Sequence, residues 1–255
     1  MIDAHAHLTD RRFASDVVDV LERARKAGID RILTAAEDVA SSEEALALAA
    51  HQDDVRVAVG VHPHRAASWG PDALHRLTEL ARDARVVAIG EIGMDFSGRS
   101  APPLVQEAAF RGQLALAALL DLPVVIHVRD AGDRVRAILG EGLELRGMIH
   151  CYSEGLEELP AWLELGLHIS FAGTLTYPGS DRLRAAAARV PADRLLAETD
   201  APYLAPQNAR GRRNEPLYVA ATHAALARER GADIGDLAAR IAQNAQNLFG
   251  ERWGT

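Results

Sequence analysis

The sequence contains very little cysteine or lysine and lacks long apolar runs. The single cysteine, Cys151, cannot form a disulfide within the chain, which fits a reducing compartment. Lys26 is the only lysine. No apolar run approaches the ~18 residues that cross a bilayer, and the N-terminal stretch has no basic segment followed by an apolar one, as an export signal would. We therefore expect a cytoplasmic protein with no membrane association.

An excess of positive charge is also absent. The 28 Lys and Arg residues stand against 36 Asp and Glu residues, which gives a formal net charge of −8. A broad basic surface that grips duplex phosphates is therefore not expected, and any nucleic-acid contact must rely on local positive charge. Hydrophobic residues make up 48% of the chain and charged residues 25%, values that exclude disorder as its main state.

Short apolar runs alternate with longer segments of helical periodicity, a pattern typical of repeated βα units. Strands are predicted at about 2–7, 31–35, 56–61, 86–92, 123–128, 147–150, 167–171 and 194–199. Helices are predicted near 14–27, 42–51, 71–82, 104–120, 131–140, 155–165, 180–189 and 215–230, with a further one at 233–249. Ser41 and Glu44 are spaced as a capping box for the second helix. The pattern favours an α/β fold, a (β/α)8 TIM barrel forming one domain over residues 1–255.

Histidines and carboxylates collect at one end of this predicted barrel. The C-terminal ends of the strands form the active face of TIM barrels, whereas the other end serves stability. The residues predicted at the active face are His5, His7, His62, His64, Glu91, His127, His150 and Asp200. One buried histidine usually has a structural hydrogen bond, but structural residues have no reason to choose the same end of several strands. The remaining histidines are expected at the surface or in packing: His51, His75, His168 and His223.

Such a collection of side chains predicts a metal centre. Burying several imidazoles with two carboxylates costs several kcal/mol unless a cation is present. Zinc-type sites use about three or four protein ligands each, so two ions that share a carboxylate fit the candidates better than one ion. The six predicted ligands are His5, His7, Glu91, His127, His150 and Asp200.

Glu91 is the predicted bridge between the two ions, because its strand lies between those of the other ligands. Some binuclear barrel hydrolases use a carboxylated lysine for this purpose, but Lys26 lies on the first predicted helix, far from the active face. The predicted division is His5, His7 and Asp200 on one ion, with His127 and His150 on the other.

Seven motifs follow one another along the chain: IDAHAHL, GVHPH, GEIGMD, LPVVIHVRDA, HCYS, LLAETDAPYL and RRNEP. In this order the sequence resembles the TatD family of metal-dependent hydrolases, within the amidohydrolase-like barrels. The resemblance implies a divalent-metal phosphodiesterase, typically a DNase or exonuclease, with Mg²⁺ or Mn²⁺ supporting activity and Zn²⁺ sometimes bound. It implies ligand roles for the same six residues. The chain departs from the family at Phe96, often a tyrosine, and at Glu154, which replaces a glycine.

Asp200 and Glu91 are the predicted catalytic residues. Two cations polarise phosphate oxygens and lower the pKa of a bound water, which is the predicted nucleophile. Asp200 is predicted to accept the proton of this water, with a purely ligating role as the alternative. Glu198 and Asp3 share strand faces with ligands and are predicted to hydrogen-bond them.

Five further residues are predicted to contact substrate. Arg129 follows His127 on the same strand face, and Arg213 belongs to the basic stretch QNARGRRN, whose alternative role is a solvated loop. His62 and His64 flank Pro63 and either steady a phosphate or form a rigid turn. Tyr203 either stacks on a base or packs beneath its loop.

The sequence favours a monomeric two-metal nuclease that acts on single-stranded DNA ends or short oligonucleotides. The negative net charge predicts weak, salt-sensitive binding. The alternative on the same barrel is a small-molecule amide, lactone or phosphoester hydrolase, and a third possibility is a non-enzymatic metal-dependent binding protein.

Overall fold

Eight parallel strands pair with one another in their sequence order. The computed structural model describes residues 1–98, 101–142 and 145–254. The strands are β1 (Ile2–Ala6), β2 (Arg31–Ala35), β3 (Val55–Val59), β4 (Val86–Asp95), β5 (Val124–Arg129), β6 (Gly147–Ile149), β7 (His168–Phe171) and β8 (Leu195–Ala197). The helices are α1 (Val17–Lys26), α2 (Val39–Ala49), α3 (Pro71–Leu80), α4 (Pro103–Leu120), α5 (Gly132–Leu139), α6 (Leu159–Glu164), α7 (Asp181–Arg189), α8 (Val219–Arg230) and α9 (Ile234–Phe249).

The first and last strands meet and bring the two ends of the sheet together. Ala6 and Ala201 form an isolated parallel bridge. The backbone N–H of His7 donates to the Ala201 carbonyl at 2.7 Å, and that of Asp200 donates to the His5 carbonyl at 2.9 Å. These bonds satisfy strand edges that would otherwise be exposed. The predicted (β/α)8 barrel is confirmed, and so is the additional helix, observed as α9.

The barrel interior is built from the apolar runs seen in the sequence. Every residue of β1 and β4 is buried, as expected for parallel strands covered on both faces. Helices α1 and α3 turn apolar stripes inward, for example Leu21 and Leu77, each with no exposed surface. No helix in the described ranges has the length and apolar character needed to cross a bilayer.

Three predicted boundaries were wrong for local reasons. Helix α2 is capped by the Asp38 side chain, which accepts from the Ser41 N–H at 2.9 Å, so Ser41 closes the capping box instead of opening it. The predicted Ser41 and Glu44 box is therefore incorrect. Helix α8 begins at Val219, because Pro216 starts a separate 3-10 turn. Strand β4 continues to Asp95, three residues beyond the predicted end.

Candidate metal centre

The end of β1 and the segment after β8 bring three ligand-type side chains together. His5 Nε2 lies 3.2 Å from His7 Nε2. Asp200 Oδ1 lies 3.4 Å from His7 Nε2 and 3.8 Å from His5 Nε2. Asp200 has a φ of 56°, a left-handed conformation that aspartate tolerates better than most residues. The barrel-closing hydrogen bonds at Ala201 and His5 therefore also position this trio.

Glu91 lies between this trio and a second group of imidazoles. Its Oε2 is 3.3 Å from both His5 Nε2 and His7 Nε2. Its Oε1 is 2.7 Å from His127 Nδ1 and 2.7 Å from His150 Nε2, and these two nitrogens are 3.1 Å apart. The two oxygens of one carboxylate thus face two separate sets of nitrogen atoms.

Gly93 allows β4 and β5 to approach closely at this point. Its φ of 141° is rare for residues with a side chain, and an added Cβ would lie 2.0 Å from the His127 carbonyl oxygen. Only glycine fits this position. The absence of a side chain lets His127 lie beside Glu91.

The spacing of these atoms fits cations. Around a cation with bonds of about 2.1 Å, neighbouring ligand atoms lie about 3.4 Å apart in a tetrahedron and about 3.0 Å apart in an octahedron. The distances given above, between 2.7 and 3.8 Å, lie around these values. Glu91 Oε2 is buried and has no hydrogen-bond partner among the described residues. A buried carboxylate oxygen without a donor is costly unless a cation satisfies it.

The electrostatics also favour positive charge here. Burial alone would raise the pKa of Glu91, but His150, His62 and His5 hold it well below its usual range. Burial alone would lower the pKa of His7, yet Asp200 and Glu91 raise it to about 9. Asp200 and Glu91 thus draw a proton onto His7, which a divalent cation can replace, whereas burial lowers the pKa of His5.

One further carboxylate, Glu198, holds an imidazole in place, and another, Asp95, lies close to a second imidazole. Glu198 Oε1 lies 3.2 Å from His150 Nδ1 and accepts the Cys151 N–H at 2.8 Å. Asp95 Oδ2 lies 3.4 Å from His127 Nε2. Carboxylates on the far nitrogen of a ligating histidine fix its tautomer and its orientation. The predicted contact between Glu198 and a ligand is therefore present.

Asp3 does not have the role predicted for it. Its carboxylate accepts the Thr199 hydroxyl at 2.6 Å and the Thr199 N–H at 2.8 Å. Its contact with His5 is through the backbone N–H, at 3.3 Å. Asp3 therefore joins β1 to the segment after β8 and does not orient an imidazole.

The residues predicted to contact substrate fall into different environments. His62 Nε2 is 3.3 Å from Glu91 Oε1. This side chain therefore belongs to the group of histidines and carboxylates around Glu91, which we call the metal-type cluster. His64 Nε2 is 2.8 Å from Asp95 Oδ2 and its side chain is 40% exposed. Arg129 is exposed at the end of β5, and its guanidinium makes no hydrogen bond or ion pair within the described ranges.

Arg213 is held by protein carboxylates. Its guanidinium is 2.7 Å from Asp16 Oδ2 and 2.9 Å from Glu215 Oε1, and it also donates to the Arg12 carbonyl. It lies over the ring of Phe13 at 4.7 Å. Phosphate binding by Arg213 stays a prediction, and it requires this ion pair to open.

Sequence reasoning missed Asp95 as a partner of the site. Asp95 lies on β4, two residues beyond Gly93 and four beyond Glu91. Strand alternation therefore places it on the same face as Glu91. That signal was available, but the predicted strand ended too early to use it.

A cavity of about 370 Å³ adjoins the metal-type cluster at His7. We call it the side cavity and define it by six of its lining residues: His7, Asp10, Arg11, Glu37, Arg65 and Tyr203. Tyr203 is 39% exposed, and its ring centroid lies 5.8 Å from that of His7. Glu37 follows β2, a strand end with no histidine to draw attention to it. The side cavity continues from the metal-type cluster along one side of the C-terminal end of the barrel.

The chain resembles known proteins over almost its whole length. A family model described as TatD related DNase matches residues 2–250. The 3′-5′ ssDNA/RNA exonuclease TatD of Pantoea ananatis is 41% identical, covering 98% of this chain and 99% of the relative. The uncharacterized metal-dependent hydrolase YabD of Bacillus subtilis is 34% identical, covering 98% of each chain. The crystal structure of YJJV, a TatD homolog from Escherichia coli K12, superposes with a TM-score of 0.92 at 32% identity, covering 98% of this chain and 97% of that one.

Fold, cluster and relatives agree on the class of protein. It is a metal-dependent hydrolase built on a TIM barrel, with side-chain clusters able to bind metal at the C-terminal ends of its strands. Within that class the chain belongs to the TatD related DNase family. The family predicted from the sequence motifs is therefore confirmed.

Proposed function

We propose that this protein is a divalent-metal-dependent phosphodiesterase that removes nucleotides from the 3′ ends of single-stranded DNA or RNA. Relatives named as 3′-5′ ssDNA/RNA exonucleases, about 40% identical over nearly the full chain, support this substrate. The observation that carries the proposal is the position of Glu91, whose two oxygens each face a different set of imidazoles. A monomeric state and a cytoplasmic location stay predictions.

The proposed ligands divide into two sets that share Glu91. His5, His7 and Asp200 would hold one ion with Glu91 Oε2. His127 and His150 would hold the other with Glu91 Oε1.

Divalent cations bound there supply Lewis-acid activation of water and neutralise phosphate charge. Imidazole nitrogens suit Zn²⁺ or Mn²⁺, whereas Mg²⁺ prefers oxygen. The proposed ligands supply both nitrogen and oxygen. We therefore propose Mn²⁺ or Mg²⁺ as the ion that supports activity, and Zn²⁺ as an ion that the site can also bind.

Asp200 is the proposed proton acceptor. Burial alone would raise its pKa, but the hydrogen bond and the charge of His7 lower it. Asp200 is therefore ionised at neutral pH and able to accept a proton. His150 is kept in position by Glu198, so this imidazole does not have to reorient during turnover.

Substrate contacts are proposed for the residues around this centre. Arg129 has an exposed guanidinium suited to a phosphate. His62 and His64 lie next to Glu91 and Asp95, within reach of groups that approach the centre. Tyr203 offers an aromatic ring for base stacking, and Arg213 is the remaining candidate for a phosphate.

The test uses a 5′-labelled single-stranded oligonucleotide with Mn²⁺ or Mg²⁺. We expect progressive shortening from the 3′ end by the native protein and a loss of about 10³-fold in rate for Glu91→Gln, which removes the shared carboxylate. Glu107→Gln is the matched control, because Glu107 is paired at the surface with Arg111 and Arg134, and its rate should stay within about twofold. Shortening that survives both EDTA and Glu91→Gln would contradict the proposal, as would turnover of model esters without any turnover of oligonucleotides.

A further inference from the structure

The side cavity lies directly beside the proposed ligand His7. Its volume of about 370 Å³ falls at the lower end of the range of ~300–1,000 Å³ for pockets that hold small molecules. It therefore has room for a single nucleotide and not for a run of them. A strand that reaches the metal centre can place one terminal unit here.

The Tyr203 ring lines this cavity and is held in position by two contacts. The Arg12 guanidinium lies 4.1 Å from the centroid of the Tyr203 ring, and Arg12 is not among the lining residues. The Tyr203 hydroxyl is 3.2 Å from Asp10 Oδ2, so the ring is fixed at its edge as well. The ring is 39% exposed, so it still offers surface on which a base can stack while Arg12 holds it.

Glu37 and Asp10 differ in how much of their hydrogen-bonding capacity is already used. Asp10 accepts two hydrogen bonds from the Arg12 guanidinium, each at 2.8 Å, and one from the Arg12 backbone N–H. The Glu37 carboxylate accepts no hydrogen bond from the described residues, and its nearest cation is Arg65 at 4.0 Å. Glu37 is therefore the carboxylate in this cavity that can accept a donor from a ligand.

The cavity also contains two guanidinium groups with little or no ion pairing to the described residues. Arg11 is exposed and makes no ion pair within the ranges that the structure describes. Arg65 has only the long contact with Glu37. Acceptor, aromatic face and guanidinium together match the hydroxyl, base and linking phosphate of one nucleotide.

We propose that the side cavity binds the 3′-terminal nucleoside of the substrate strand, and that Glu37 accepts a hydrogen bond from its free 3′-hydroxyl. This inference rests on the proposed function. A 3′-phosphate in the same place has no proton to donate at neutral pH in its dianionic form and meets the negative charge of Glu37. The protein therefore distinguishes hydroxyl ends from phosphorylated ends, while Arg11 and Arg65 serve the phosphate that links the terminal unit to the strand.

The kinetic test compares three oligonucleotides of one sequence that end in a 3′-hydroxyl, a 3′-hydrogen or a 3′-phosphate. For the native protein we expect kcat/KM to be several-fold lower for the 3′-hydrogen end and about tenfold or more lower for the 3′-phosphate end. Glu37→Gln keeps an acceptor oxygen but removes the charge, so the difference between hydroxyl and phosphate ends should fall to within about twofold.

Glu44→Gln is the matched control, because Glu44 is an exposed glutamate on α2, the helix that follows Glu37, and lies outside the cavity. This variant should retain the full difference between ends. Equal rates on all three ends for the native protein, or an unchanged difference in Glu37→Gln, overturn the inference. Absence of cleavage at every end instead contradicts the proposed function.

A binding measurement decides the inference even without cleavage. Metal-loaded protein is mixed with an oligonucleotide that carries 2-aminopurine at its 3′ end and phosphorothioate linkages to slow hydrolysis. Stacking should quench the terminal 2-aminopurine in the native protein and in Tyr203→Phe, but not in Tyr203→Ala. The same probe placed three nucleotides inward should respond less. A terminal probe that shows no response, or an equal response in Tyr203→Ala, overturns the assignment of the cavity.

Discussion

Both ends of the barrel bury histidines, and the pKa values of two of them, His223 and His7, shift in opposite directions. At the N-terminal end, His223 has no exposed surface and its Nε2 lies 3.2 Å from the Ile2 carbonyl oxygen at the start of β1. Burial lowers its pKa to about 4. At the C-terminal end, His7 is buried as well, but Asp200 and Glu91 raise its pKa to about 9.

The difference shows which neighbours suit a buried histidine to the proposed metal binding. An imidazole with one backbone partner is stable as the neutral form and titrates alone. At His7 the two carboxylates outweigh burial and raise the pKa, whereas at His62, which also contacts Glu91, burial prevails and lowers the pKa to about 4. Both imidazoles lie beside carboxylates that attract cations. The carboxylates at the C-terminal end, above all Glu91 and Asp200, are what distinguish the two sets of histidines.

The largest effect is expected when one of the carboxylates at the C-terminal end loses its charge. Glu198→Gln keeps the shape of the side chain but removes the charge that faces His150 Nδ1. We expect a loss of about 10- to 100-fold in affinity for the ion at His127 and His150. Calorimetric titration of chelator-treated protein with Mn²⁺ measures it, with Glu107→Gln as a surface control. Unchanged affinity would mean that Glu198 holds only the Cys151 backbone.

A smaller effect is expected at the N-terminal end, where His223 makes the unfolding free energy depend on pH. The pKa of His223 is about 4 in the folded chain, below its ordinary value of 6.5. The unfolded chain therefore binds more protons between these values, and stability falls as pH falls through that range. Between pH 7.5 and 5 we expect His223 to account for a loss of about 2 kcal/mol in unfolding free energy.

Urea unfolding in the presence of a chelator tests this prediction. His223→Gln keeps an amide donor for the Ile2 carbonyl but does not titrate, so its stability should fall by about 2 kcal/mol less than that of the native chain. Equal losses in the two proteins would show that His223 is not held neutral.

The smallest effect is expected from exposed arginines at the two ends. Arg129 at the C-terminal end has no protein partner within the described residues, whereas Arg146 at the N-terminal end is paired with Asp121 at 2.9 Å. Arg129→Gln should raise the KM for an oligonucleotide about threefold at low salt, and the difference should shrink at high salt. Arg146→Gln should leave KM unchanged, and a similar rise in both variants would count against a specific contact by Arg129.

Much of the fold and of the metal-type cluster could be predicted because both depend on local periodicity. Alternation along β1 places His5 and His7 on one face, and the rule for parallel barrels places Glu91 and His127 at the same end. The particular partners of exposed side chains could not be predicted in this way. Arg213 pairs with Asp16, which is 197 residues away along the chain, and nothing in the local pattern signals that contact.

The side cavity was beyond sequence reasoning for a similar reason. Asp10 and Tyr203 come from opposite ends of the chain, and only the folded loops bring them together. Glu37 follows a strand without histidines, so the sequence gives no reason to place it in a binding site. Only the fold shows that it lines a cavity together with Arg65 and Tyr203.

The hydrogen bond between the Asp200 N–H and the His5 carbonyl joins residues near the two ends of the chain. A nascent polypeptide that has emerged only as far as α7 possesses both histidines of β1 but lacks the carboxylate that completes their trio. Contacts of such long range form late, because closing a large loop is entropically costly. An incomplete translation product that ends in α7 therefore contains Glu91, His127 and His150 but cannot complete the trio, because it lacks Asp200.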